Sequence, residues 1–379
     1  MILRSHSDVP IGAAVRALAR DFARDHRNPL GLAYMVYHGI DTTSSAVIGR
    51  AMRNQLPAAD EFDAFDVIRL DEDGGLLDGA ERVPPGRVAA HLRDLVAVPR
   101  GVTDVFVFAH GWQNTGPRAD AASRRLFAGI RDVYREDPGR YPALDGFRPA
   151  FFSVQWPSQS LPTAGGYRKI RDRAHEMTTT GHAAHVVAAL LGLLDAERVS
   201  PYGPDTLRTA GGQYLHCVGH SFGCRLLGEA IREAAAPPEH RVLAWPWASR
   251  HEFAVDSFTG LQMAARTDVF RHRFRSLVDG GAPIVGPVAL TVSPHDRALS
   301  LWHQVPEGEP GLGARGALDA PTIPLHRVDE AYTTAEFGKV TNVDAGWRYT
   351  GGSMVQGAHS DIWYPETIHL LLSLAALSR

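Results

Sequence analysis

Cysteine is scarce: 379 residues carry two, Cys217 and Cys224. That excludes the disulfide framework on which small secreted domains depend. The two flank one short turn and are expected on different elements, as small core thiols of a reducing compartment. Charge of one sign is also missing. The chain has 39 Lys and Arg against 42 Asp and Glu, a net charge of −3, so there is no basic footprint for nucleic acid. No uncharged apolar run reaches the ~18 residues of a membrane span. The opening Met1–Asp8 has no apolar stretch of signal-peptide length, and the cytoplasm is the expected location. The 18 His form no H-E-x-x-H pair and no tight His/Asp cluster, so no metal is expected. No glycine loop built to cradle phosphate precedes a helix, so no cofactor is expected either. Repeats and long linkers are absent.

What is there is an ordinary globular composition, 44% hydrophobic and 21% charged, long enough for a large core. Residues 1–60 read as an N-terminal, partly helical extension. Val15, Leu18, Ala19 and Phe22 recur at helical spacing, and Asp41–Ser44 offers caps for a further helix. Residues 61–379 read as the main domain. Phe65–Leu70 alternates, Asp71–Gly75 turns and Leu76-Leu77 returns, which predicts a hairpin. Val88, Leu92, Leu95 and Val96 mark a helix. Val105–Ala109, Ala150–Trp156, Tyr214–Val218, Phe253–Leu261, Pro287–Val292 and Lys339–Val343 read as strands, several apolar enough to be buried on both faces. Helices are expected near 117–134, near 179–194, after Ser221 and over Pro365–Leu377. In the helix after Ser221, Leu226, Leu227, Ala230, Ile231 and Ala234 form an apolar stripe opposed by Arg225, Glu229, Arg232 and Glu233. Ser158–Gly166 reads as a loop, and insertions are expected at about 237–252 and 303–325. The Gly/Pro-rich Pro306–Pro324 has the look of an excursion or lid. Alternating strands and helices predict an α/β fold, mostly parallel, with helices on both faces.

One stretch organises the rest. The strand Tyr214–Val218 runs into Gly219-His220-Ser221-Phe222-Gly223, a G-x-S-x-G sequence, and a helix follows directly. With 37 Gly in the chain, such a match carries weight only through that context. Strand, tight turn and helix make a nucleophile elbow, with the serine hydroxyl raised above the sheet. The flanking glycines keep side chains out of a turn where two backbones approach closely. In an open parallel sheet ligands bind beyond the carboxyl ends of the strands. There the chain sets His110-Gly111-Trp112, Ser221, Asp296 and His359. A serine nucleophile needs a base, the base an orienting acid, and the intermediate at least two oxyanion donors.

These motifs, in this order, resemble the α/β-hydrolase superfamily over roughly Thr103–Leu377. Trp156-Pro157-Ser158 is similar to a W-P-S signature in one bacterial branch of it. The resemblance implies Ser221 as nucleophile, Asp296 as acid and His359 as base, the family's chain order. It implies the backbone N–H groups of Trp112 and Phe222 as oxyanion donors, with Gln113 as an alternative. Trp112, Gln113 and Trp156 are expected at the substrate. Asp256 and Asp344 remain rival acids, and His303 and His326 rival bases. His110 and His220 read as packing residues, and Asp361 as a cap or a support for the histidine loop. Trp245-Pro246-Trp247 reads equally as an aromatic wall or a packed loop. The implied activity is hydrolysis of a small-molecule carboxylic ester or related acyl compound through an acyl-enzyme. An acyltransferase with the same triad, or a binding protein on the same scaffold, stands as the alternative. Oligomeric state is not legible.

Overall fold

The computed structural model describes residues 65–96, 98, 101–114, 116–160, 164–196, 214–235, 255–279, 283–352 and 357–379, all within one unit, Pro57–Arg379. The expected extension over 1–60, the 237–252 insertion and Trp245-Pro246-Trp247 lie outside the described residues.

Ten strands form one sheet: β1 (Asp66–Leu70), β2 (Leu76–Asp78), β3 (Glu81–Arg82), β4 (Asp104–Ala109), β5 (Pro149–Gln155), β6 (Tyr214–His220), β7 (Ser257–Leu261), β8 (Val288–Val292), β9 (Thr322–Pro324) and β10 (Val340–Asp344). Their order is β3-β2-β1-β5-β4-β6-β7-β8-β10-β9. The opening hairpin β1–β2–β3 is antiparallel. Every pairing from β1 across to β9 is parallel. The long helices are α1 (Val88–Leu95), α2 (Gly116–Glu136), α3 (Ala164–Thr179), α4 (Ala183–Ala196), α5 (Phe222–Ala235) and α6 (Pro365–Leu377). Among the described residues the protein is an α/β structure with a mostly parallel mixed sheet.

Period-two alternation divides the core. Val105, Val107 and Ala109 of β4 face a layer built with α1, α3, α4 and α5. Phe106 and Phe108 face the layer of α2 and α6. Cover on both faces explains why the central strands are continuous apolar runs. Helix α4 is apolar nearly all round, with Val186, Val187, Leu190 and Leu191 fully buried, and it packs on α1 and α5. A helix apolar on every side is stable only when enclosed in this way. No single described helix is long and apolar enough to cross a membrane; α3 and α4 reach that length only together, across a 61° bend.

From β4 the chain steps to β5 on one side, then returns across β4 to β6 on the other. With right-handed crossovers, this reversal puts α2 and α3–α4 on opposite faces. The reversal falls at β4 and β6, and in open parallel sheets ligands bind beyond the carboxyl ends of the strands at such a point.

Five expectations need correction. The segment after β5 is not all loop, because α3 starts at Ala164. The helix expected near 179–194 is the second of a pair. The strand expected from Phe253 begins at Ser257. Pro306–Pro324 is no lid: Leu312, Gly313 and Ala314 are buried, the Gly313 N–H donates to the Met263 carbonyl at 3.1 Å, and β9 pairs with β10. Finally, Glu229 does not face solvent. It is fully buried, because α3 covers that side of α5, and it is ion-paired with Arg273, with Arg232 at 3.5 Å and with Arg225 at 3.9 Å.

Candidate active site

Strand β6 ends at His220 and α5 begins at Phe222, so the turn between them is one residue, Ser221. Its φ is +54°, the left-handed region that non-glycine residues avoid at a cost of order 1–3 kcal/mol. Hydrogen bonds hold it there. The Ser221 N–H donates to the Leu261 carbonyl at 3.0 Å, and the Ser221 carbonyl accepts from Ala264 at 3.2 Å. The flanking glycines are required by space. A Cβ on Gly219 would lie 2.5 Å from the Cys224 nitrogen, and one on Gly223 2.5 Å from the His110 carbonyl oxygen. Both cysteines of this region are buried free thiols.

The three residue types needed beside this turn meet there. The Ser221 hydroxyl donates to His359 Nε2 at 2.7 Å, and His359 Nδ1 donates to Asp296 Oδ2 at 2.8 Å. The second oxygen of Asp296 accepts the Leu299 N–H at 2.9 Å. Asp296 follows β8 and His359 follows β10. A bridge between Asp296 and Gly357 and the Ala358 N–H on the His295 carbonyl at 3.0 Å tie the two loops together. Ser221, Asp296 and His359 are 1%, 0% and 7% exposed. Asp361 supports the histidine loop: its carboxylate accepts the Gly351 N–H at 2.7 Å and the Tyr364 hydroxyl at 2.5 Å. His220 donates from Nε2 to the His359 carbonyl at 2.9 Å. Burial, followed by the nearby charge of His359, pushes the His220 pKa down to about 3. Burial likewise pushes His110 down to about 4, so both imidazoles are neutral.

Two backbone donors flank the serine. Phe222 is the first residue of α5, where N–H groups are unpaired and the helix dipole favours negative charge. Trp112 follows Gly111, and a Cβ on Gly111 would lie 2.8 Å from Ser221 Cβ. Among the described residues neither N–H has an acceptor. Gln113, the expected alternative donor, has its N–H on the Ser158 carbonyl at 3.1 Å and its side chain on the Ser160 carbonyl at 2.8 Å. Trp156, also expected at the substrate, is packed away from solvent. It is 3% exposed, stacked on His110, and its indole N–H is taken by the His110 carbonyl at 2.8 Å. Trp112 stays half-buried, with its indole N–H on Ser160 at 2.8 Å.

The rivals have other partners. Asp256 caps the opposite end of β6, accepting the Leu215 N–H at 2.7 Å. Asp344 is exposed and accepts the Gly346 N–H at 2.8 Å, an Asx turn. His326 stacks on Tyr332 and pairs with Glu336 at 3.0 Å. His303 is buried with Nδ1 on the Glu309 carbonyl at 3.0 Å.

Sequence reasoning passed over two contributors. Tyr167 of α3 sets its ring 5.0 Å from that of Phe222 and 5.8 Å from that of Trp112. The spacing of Tyr167, Ile170, Ala174 and Met177 was the available signal for its helix. Gln262 follows β7 with φ +47°, and its buried carboxamide has no partner among the described residues. No described group of three or more His, Cys, Asp or Glu is poised to hold a metal.

A second Ser–His–Asp array lies elsewhere. His216 approaches Ser257 Oγ with Nδ1 at 2.8 Å and Asp104 with Nε2 at 3.1 Å. Asp104 and Ser257 open β4 and β7, so this array sits toward the amino ends of the strands. Asp104 also accepts from Arg379 at 2.7 Å.

No protein-family model, curated protein or solved structure matches this chain.

Proposed function

We propose that the protein is a serine hydrolase of the α/β-hydrolase kind, cleaving carboxylic esters or related acyl bonds through an acyl-enzyme. The observation that carries this reading is the unbroken hydrogen-bond chain Ser221–His359–Asp296, at 2.7 and 2.8 Å, on a turn held at φ +54°, with the N–H groups of Phe222 and Trp112 lacking an acceptor among the described residues. His359 Nε2 takes the Ser221 proton as Oγ bonds to the acyl carbon. Asp296 fixes the imidazole tautomer and stabilises the imidazolium. The carbonyl oxygen gains charge and is met by the N–H groups of Phe222 and Trp112. Collapse breaks the acyl–oxygen bond, and the alcohol leaves with the proton from His359. A water then gives its proton to His359, attacks the acyl carbon, and releases the acid and the serine.

The test is a chain-length series of p-nitrophenyl esters on wild type and Ser221→Ala. Wild type is expected to turn over at least one ester, with Ser221→Ala lower by at least about 10⁴-fold. Equal rates in the two proteins would refute the reading.

A further inference from the structure

The W-P-S segment has no part in the proton relay, yet it makes a dense set of hydrogen bonds to the loop after β4. Trp156 donates its indole N–H to the His110 carbonyl at 2.8 Å and its backbone N–H to His110 Nε2 at 3.3 Å. Ser158 accepts the Gln113 N–H on its carbonyl at 3.1 Å and the Asn114 N–H on Oγ at 3.3 Å. Arg173 of α3 anchors the segment from outside through the Pro157 carbonyl at 2.9 Å.

These contacts converge on one atom. The Gly111 carbonyl oxygen accepts from Ser158 Oγ at 2.9 Å, from Asn114 Nδ2 at 2.9 Å and from His110 Nδ1 at 3.0 Å. The His110 tautomer is consistent throughout: Nδ1 carries the proton and Nε2 accepts from Trp156. Gly111 C=O and Trp112 N–H belong to one planar trans peptide and point in opposite directions. Holding the oxygen therefore aims the N–H. Phe222 needs no such device, because the helix fixes its N–H. Trp112 lies outside any helix or strand, and the next residue, Gln113, has φ +66°, a strained conformation that persists only when its surroundings over-determine it.

We infer that Ser158 and Asn114 are positioning residues that clamp the Gly111 carbonyl and so preorganise the Trp112 N–H as the second oxyanion donor. The inference rests on the hydrolase reading above. It gives the W-P-S sequence a task in transition-state stabilisation, where donors fixed in advance contribute most.

The experiment compares wild type, Ser158→Ala, Asn114→Ala and the double variant on p-nitrophenyl acetate. It also measures affinity for a trifluoromethyl ketone, whose serine adduct carries the oxyanion. Each single variant is expected to lose about tenfold in kcat, with KM within about twofold. Ketone affinity is expected to fall by the same factor, and the double variant to lose less than the product because both groups hold one atom. The control is Ser123→Ala, a buried serine on α2 bonded to Ser153, expected to lower Tm and leave kcat unchanged. Wild-type kcat and ketone affinity in both single variants would overturn the clamp. So would a loss of kcat that follows unfolding while ketone affinity of the folded protein is unchanged. A wild-type protein inert to esters and ketone alike would instead remove the hydrolase reading, and the clamp with it.

Discussion

Among the described residues, two serine–histidine–aspartate arrays occupy this sheet, and they are built differently. At the carboxyl ends of the strands, His359 offers Nε2 to Ser221 and Nδ1 to Asp296. At the other end, His216 reverses the order, with Nδ1 on Ser257 and Nε2 on Asp104. Ser221 sits on a strained turn next to the first residue of α5, and among the described residues the N–H groups of Phe222 and Trp112 have no acceptor. Ser257 is a strand residue bonded into the ladder. Asp296 has the histidine as its charged-group partner in the proposed reaction, whereas Asp104 is already paired with Arg379 at 2.7 Å. Residue types and hydrogen-bond distances alone do not define a nucleophile. Backbone strain, exposed donors and position in the sheet do.

The largest expected difference is in activity. Ser221→Ala should abolish ester hydrolysis, while Ser257→Ala should stay within about twofold of wild type, because its hydroxyl faces no oxyanion donor. A large loss in Ser257→Ala at unchanged Tm would erase the distinction. Next come the acids. Asp296→Asn should lower kcat by about 10³–10⁴-fold through the wrong histidine tautomer. Asp104→Asn should leave kcat unchanged in the folded protein.

Stability should divide the arrays the other way. His216→Ala removes the central group of a buried network and is expected to cost about 2–4 kcal/mol in denaturant titration. His359→Ala, at a strained site, should cost less than about 1 kcal/mol. The smallest effect concerns pH. The pKa values of His110 and His220 are lowered to about 4 and about 3 by burial. Below pH ~6.5 the unfolded chain binds protons that the folded state refuses, so stability falls from pH ~6.5 toward 4. For Asp104 burial opposes ionisation, but hydrogen bonding and charge from His216 and then Arg379 together outweigh it and lower its pKa. Its contribution is present above the ordinary carboxylate range and is lost only as pH falls through the lowered value. His220→Asn should flatten the upper window, and Asp104→Asn the lower, when unfolding free energy is followed across pH.

The parts of the protein that sequence reveals are those fixed by local chemistry. Mainly apolar runs announced β4, β5, β6 and β8, because a strand buried on both faces favours apolar residues and admits polar ones only with partners. The glycines at 219 and 223 marked the elbow, because any side chain there would meet backbone. Asp296 and His359 were legible as residues in strand-end loops, and the structure brings both to Ser221. Helix α3 was legible in the spacing of Tyr167, Ile170, Ala174 and Met177 but was passed over for the Pro- and Gly-rich stretch before it. Glu229 looked solvent-facing because its cover comes from α3, far away in sequence. The Asp104–His216–Ser257 array depends on register, which sets His216 opposite Phe106 on one side and Ser257 on the other. No local pattern encodes that meeting. Trp156 and Ser158 were visible as a motif, but their hydrogen bonds to the His110–Asn114 loop required the fold.

The proposed function requires Ser221, and not Ser257, to be the nucleophile. The direct measurement is reaction of the pure protein with a fluorophosphonate, followed by peptide mass mapping of wild type, Ser221→Ala and Ser257→Ala. A single adduct on Ser221, lost in Ser221→Ala and kept in Ser257→Ala, is the expected result. An adduct on Ser257, or no adduct on wild type, would contradict the account.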